Sequence, residues 1–129
     1  MKKKYIELSV PNLIGKEKKY LEDCIKSNYV SSIGSYVKKF ERKIGNYTKS
    51  KFTVSCNSGT SALHLGLKVC GVKKNDEVIV PTISFIATAN AVRYLDAKPI
   101  FFDCDEFYNL KTEEVLEFIK NETYLKNKF

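Results

Sequence analysis

Apolar residues recur along this chain at two different spacings, and the switches between them mark its elements. From Gly15 to Ser27, Leu21, Cys24 and Ile25 fall on one helical face, while Lys16, Glu17, Lys18, Lys19, Glu22, Asp23 and Lys26 fill the others. This is the pattern of an amphipathic surface helix. Asn28-Tyr-Val-Ser-Ser-Ile-Gly34 interrupts it with turn-forming residues. A second helical pattern follows, with Ser35 as its expected cap and Val37, Phe40, Ile44 and Tyr47 at three- and four-residue steps.

Beyond these helices the spacing changes. Phe52–Cys56 is a β-prone run that ends in a small polar elbow, Asn57-Ser-Gly-Thr-Ser61, and a helical pattern begins at once, running to Cys70 and stopped by Gly71. Glu77–Val80 predicts a short buried strand closed by Pro81. Thr82–Leu95 is again a small-residue turn running into a helix, and Pro99–Asp103 predicts a third strand. Thr112–Lys120 opens with an expected cap and an acidic first turn and closes on a lysine. The expected fold is α/β: an N-terminal helical segment (1–50), then alternating strand–helix units (51–129) whose right-handed crossovers give a parallel sheet.

The elbow carries the chemistry. The first N–H groups of a helix have no partner within it, and the macrodipole adds partial positive charge at that end. Gly59 lets a ligand approach the backbone closely, and the hydroxyls of Ser58, Thr60 and Ser61 can donate to the same oxygens. A phosphate seat follows from these features. The alternative is an ordinary α/β corner whose serine is only a cap. The elbow is neither a Walker loop nor a dinucleotide fingerprint, since the required lysine and glycines are missing. Ligands of parallel sheets sit at the carboxyl ends of the strands. Phe85, in the next such turn, is placed either to lie under a planar ligand or to join the core. The hydroxyl-rich loop 28–34 is either a ligand-contact loop or a plain connector. His64, between leucines and with no second histidine, reads as a packed residue and not as a metal ligand.

Composition narrows the class further. With 43% hydrophobic and 29% charged residues, the 129-residue chain fits one globular domain with enough apolar side chains for a core. No apolar run approaches membrane-spanning length. Met1–Lys4 is basic like the start of a signal peptide, but Tyr5–Ser9 is not an apolar segment, so export is not expected. Cys24, Cys56, Cys70 and Cys104 form no Cys-x-x-Cys pair, which argues against a zinc site or a disulfide framework and for a cytoplasmic chain with reduced thiols. The formal charge of +7 is uneven, about +8 over residues 1–56 and −1 over the rest. Such an excess suits an anionic ligand, although most of these lysines read as solvated helix faces. Basic and aromatic residues do not interleave in the manner of base-stacking proteins, so nucleic acid ranks low.

Several motifs in series resemble one family. Ser31-Ser-Ile-Gly34, Val37-Lys-Lys-Phe-Glu41, Ser58-Gly-Thr-Ser-Ala-Leu63, Asp76-Glu-Val-Ile-Val-Pro81, Phe85-Ile-Ala-Thr-Ala-Asn90 and Pro99-Ile-Phe-Phe-Asp103 resemble, in order and spacing, the DegT/DnrJ/EryC1/StrS sugar aminotransferases. Within that family the general similarity is to enzymes that make 4-amino sugars on UDP for nonulosonic acids such as legionaminic acid. The resemblance implies a pyridoxal 5′-phosphate (PLP) enzyme of fold-type I, this chain being part of its large domain, and a homodimer. It implies transfer of an amino group, usually from glutamate, to the keto group of a nucleotide-linked sugar. By position, Gly59, Thr60 and Ser61 would bind the cofactor phosphate, Phe85 would stack on its ring, and Tyr29, Val30, Ser31 and Ser32 would touch the sugar nucleotide.

The Schiff-base lysine and the aspartate that pairs with the ring nitrogen lie, in the family, beyond the region matched here. The expectation is therefore an N-terminal portion of such an enzyme, inactive alone, because amino transfer needs that lysine as anchor and proton shuttle. The alternatives are a non-catalytic remnant, a phosphate- or nucleotide-binding fragment, and a PLP-dependent sugar dehydratase of the same fold with histidine at the lysine's position.

Overall fold

The computed structural model describes residues 5–123, so the basic start Met1–Lys4 lies outside the described residues. The chain divides into two compact units, Met1–Ser55 and Cys56–Phe129.

The first unit is built on α1 (Glu17–Lys26) and α2 (Ser35–Thr48). The Tyr36 hydroxyl donates to Asp23 Oδ2 at 3.0 Å, and the Tyr20 and Tyr36 rings lie 5.1 Å apart, so the two helices touch through these side chains, while Leu21, Ile25 and Phe40 stay exposed. The hydrogen bond to the Asp23 carboxylate raises the Tyr36 pKa. α1 closes with a left-handed residue, Asn28, at φ 58°. The Asn28 and Tyr29 amides donate to Ile25 O and Cys24 O, taking two of the helix's terminal carbonyls. Ser35 does not cap α2. The cap position is Gly34, with no side-chain hydrogen bond, and Ser35 is the first helical residue. A serine can accept from the second or third amide of a helix only from the position before it.

After α2 comes the first departure from the expected sheet. Residues 52–56 are extended but join no ladder among the described residues, and Phe52 and Val54 are exposed. A β-prone run becomes a strand only beside a partner backbone. Here the Ser55 amide and hydroxyl instead donate to Glu41 Oε1 at 2.9 and 3.0 Å. These bonds hold the Glu41 carboxyl below its ordinary pKa.

The second unit comprises α3 (Gly59–Val69), β1 (Glu77–Pro81), α4 (Ile86–Arg93), β2 (Lys98–Phe102) and α5 (Thr112–Glu122). β1 and β2 pair in parallel from Glu77↔Lys98 to Pro81↔Phe102, giving two strands among the described residues where three were expected. Val80 from β1, Val92 from α4 and Ala97 are buried together, with Leu67, Val72, Val78 and Leu95 packed against them. Gly71, at φ 86°, ends α3 as expected, with its own amide on Lys68 O and the Val72 amide on Leu67 O. This left-handed turn brings Leu67 and Val72 onto the same cluster. α5 starts after Lys111 and not with a capping threonine: Thr112 is its first residue, and its hydroxyl reaches back to Leu110 O. Among the described residues no helix is long and apolar enough to cross a membrane.

Candidate functional site

The elbow opens α3 as the small residues dictate. Ser58 is extended, and its Oγ accepts from the Ser61 amide at 3.1 Å. The serine therefore is a cap, and the cap takes only one of the free amides. Among the described residues the Gly59 and Thr60 amides make no hydrogen bond. A Cβ added at Gly59 would meet nothing within 4 Å, so the space over the helix head is open. No acidic residue lies in the first turn of α3, whereas α5 places Glu113 and Glu114 in its own. The positive end of α3 is thus not offset by an acidic side chain of its own first turn, as that of α5 is; α2 and α4 share this feature.

Phe85 sits at the head of α4, in the cap position after the turn that leaves β1. It is 88% exposed, so the core placement considered from sequence does not apply. The turn below it is fastened at both ends. Thr82 N extends the ladder to Phe102 O at 2.9 Å, and the Ser84 and Thr88 hydroxyls lie 2.7 Å apart. A cavity of about 170 Å³ lies beside the ring, between Thr82, Ser84, Thr88 and Phe101. α3 and α4 pack on each other. The elbow and the aromatic therefore head two neighbouring helices of one unit.

At the end of β2, Asp103 Oδ1 accepts from the Cys104 amide at 2.9 Å and from Thr82 Oγ1 at 3.3 Å, and Oδ2 lies 3.5 Å from Lys111 Nζ. The Cys104 amide, then the Lys111 ammonium, hold the Asp103 carboxyl below its usual pKa. Lys111, in turn, is raised, chiefly by its bond to Glu114. Sequence patterning found neither this bridge nor the Glu41–Ser55 bond. Partners 21 and 14 residues apart leave no local periodicity to read.

Tyr29, Val30, Ser31 and Ser32 form the exposed connection between α1 and α2, in the first unit. Ser31 is tied locally, its hydroxyl to Ile33 O and the Ile33 amide back to it, both at 3.3 Å. His64 is half-buried and packs edge-on to Tyr94 at 5.8 Å, as expected of a packed histidine.

An α/β unit with a parallel strand pair, in which α4 follows β1 through a small-residue turn and α3 opens in a small polar elbow, has the form of folds that hold phosphate-bearing ligands. The chain belongs to the DegT/DnrJ/EryC1/StrS aminotransferase family, whose model matches residues 11–127. It is 41% identical over 121 residues to the GDP-perosamine synthase of Escherichia coli O157:H7, covering 93% of this chain and 33% of the relative. A Streptococcus pneumoniae protein assigned as a sugar aminotransferase, solved in its PLP form, superposes with a TM-score of 0.77 at 29% identity, over 87% of this chain and 29% of its own. The E. coli GDP-4-keto-6-deoxy-D-mannose-3-dehydratase with bound hydrated PLP gives 0.77 at 26% identity, over 90% of this chain and 31% of its own. The fold is that of the PLP enzymes of fold-type I. The chain spans about a third of the length of the curated relatives it matches.

Proposed function

We propose that this chain supplies the phosphate seat and ring platform for PLP in an enzyme that aminates the keto group of a nucleotide-linked sugar. The observation that supports it best is the pair of free amides at Gly59 and Thr60, open to an anion, in the same unit as the outward-facing Phe85. The residues present fit the group. Two amides and the Thr60 and Ser61 hydroxyls suit a dianion, and an exposed phenyl ring suits a flat pyridine. When bound, PLP supplies the electron sink for amino transfer. The chain's own part is to anchor the phosphate, orient the ring and keep water off the face that Phe85 covers.

The sugar nucleotide is assigned to the loop Tyr29–Ser32, with glutamate as amino donor, in a cytoplasmic homodimer. The nucleotide is read as GDP, because the relative at 41% identity is a GDP-perosamine synthase and the dehydratase also bears GDP in its name. The UDP-linked branch suggested by general similarity keeps the support of a relative 43% identical over 77 residues, a UDP-N-acetyl-3-dehydro-α-D-glucosamine 3-aminotransferase, while nothing singles out the legionaminic branch. The dehydratase superposition supports a second reading, loss of a hydroxyl from the same class of sugar. Product analysis with a GDP-linked keto sugar separates them, since only amino transfer leaves nitrogen on the sugar.

The lysines within these 129 residues are read as taking no part in the covalent anchoring of the cofactor, because the family resemblance puts the anchor lysine outside the region matched here. Calorimetry with pyridoxine 5′-phosphate, which lacks the aldehyde, tests the seat. Saturable binding tighter than that of GDP or inorganic phosphate is expected, and absence of saturation would overturn the reading. Borohydride reduction after PLP addition tests the second statement. Diffuse labelling of surface lysines is expected, and a stoichiometric adduct on one lysine would refute it.

A further inference from the structure

We propose that Asp103 is a positioning residue that keeps the Phe85 ring turned outward. The inference rests on reading Phe85 as the surface on which the cofactor ring lies.

An exposed phenyl ring gains by burial, so an outward ring requires a backbone that denies it an inward path. The inward path exists: the cavity of about 170 Å³ beside Phe85 is walled by Phe101 and Ala89. Phe85 itself donates and accepts little that would hold it. Its carbonyl accepts from the Thr88 amide at 3.0 Å, and its side chain is free. The turn that carries it, Thr82–Phe85, is pinned at its start by Asp103. That carboxylate reaches from the end of β2 to the Thr82 hydroxyl at the end of β1. It is held for the purpose on its other sides by the Cys104 amide and Lys111. At the turn's far end the Ser84–Thr88 pair makes the second clamp. Without the carboxylate the Thr82 backbone stays on Phe102 O, but its side chain is freed, and Ile83–Ser84 can shift and let the ring drop toward Phe101.

The test uses the full chain with pyridoxine 5′-phosphate and inorganic phosphate as probes in parallel calorimetric titrations. Asp103→Leu and Thr82→Val are expected to weaken pyridoxine 5′-phosphate by about three- to tenfold, the value of one aromatic stacking contact. Inorganic phosphate, which touches only the α3 head, is expected to bind unchanged. Asp103→Asn keeps an oxygen for Thr82 and Cys104 and is expected to restore wild-type binding. Phe85→Ala should match Asp103→Leu, and the double variant should lose nothing more. Asp103→Leu and Thr82→Val that leave the ring contribution intact would overturn the proposal, as would equal losses for both probes or failure of Asp103→Asn to restore binding. If Phe85→Ala has no effect in an otherwise normal titration, the platform reading itself falls, and this inference with it.

Discussion

Replacing Gly59 by alanine separates folding from binding at the head of α3. Gly59 is the first residue of the helix, its φ lies outside the left-handed region, and an added Cβ meets nothing within 4 Å. The methyl group therefore costs the fold nothing and reduces the freedom of the unfolded chain. Stability should rise by about 0.5 kcal/mol, part of the full alanine–glycine difference because the site is terminal. Binding should move the other way. On the proposed reading, the methyl stands beside the stretch of backbone where a phosphate oxygen would approach the Gly59 and Thr60 amides. Loss of one hydrogen bond to a charged group is worth about 1.5–3 kcal/mol, or about ten- to a hundredfold in affinity. Urea unfolding measures the first quantity, and calorimetry with pyridoxine 5′-phosphate the second. A variant at least as stable as wild type with affinity unchanged would refute the seat. A variant destabilised by more than about 1 kcal/mol would show that the space over Gly59 is not open.

Three further outcomes follow from particular contacts. Ser58→Ala removes the acceptor for the Ser61 amide and should cost about 1 kcal/mol in urea unfolding. Lys49 sits left-handed at φ 56° after α2, so Lys49→Gly should raise the unfolding midpoint by relieving about 1 kcal/mol of backbone strain. Glu41 and Asp103 both titrate below their ordinary values when folded, so each contributes stability that is present above the unfolded carboxylate pKa. That contribution is lost as pH falls through the lowered folded pKa. The unfolding midpoint should therefore drop on acidification below about pH 4, and Glu41→Gln should flatten that limb. A pH-independent midpoint between neutrality and strong acid would contradict both assignments.

Much of the second unit was legible because its signals are local. Gly71 marks the end of α3 by its need for positive φ, and Pro81, closing β1, and Pro99, near the start of β2, flank the turn and helix between the strands. The elbow was legible for the same reason, small polar residues placed just before a helical pattern begins. The misses share a different cause. Phe52–Cys56 has the composition of a strand, but pairing is a property of two backbones, and among the described residues this one has no partner. Ser35 and Thr112 are capping residue types one position too late, a shift that composition cannot resolve when Gly34 and Lys111 adopt the extended cap geometry instead. Phe85 was ambiguous because a phenyl ring reads the same in a core and on a ligand platform. Its 88% exposure excludes it from the core of this unit. The Asp103–Thr82 bridge joins two strand ends, and only the parallel register brings those residues together.

The claim beneath the rest is that the open amides of the α3 head and the face of Phe85 together receive a phosphate-bearing ring. Amide and aromatic NMR spectra of the labelled chain, titrated with pyridoxine 5′-phosphate, test it residue by residue. The account predicts saturating shifts that are largest at the Gly59, Thr60 and Ser61 amides and at the Phe85 ring, with inorganic phosphate reproducing the first set and not the second. Shifts centred on other residues, or none at the elbow at saturating ligand, would contradict it.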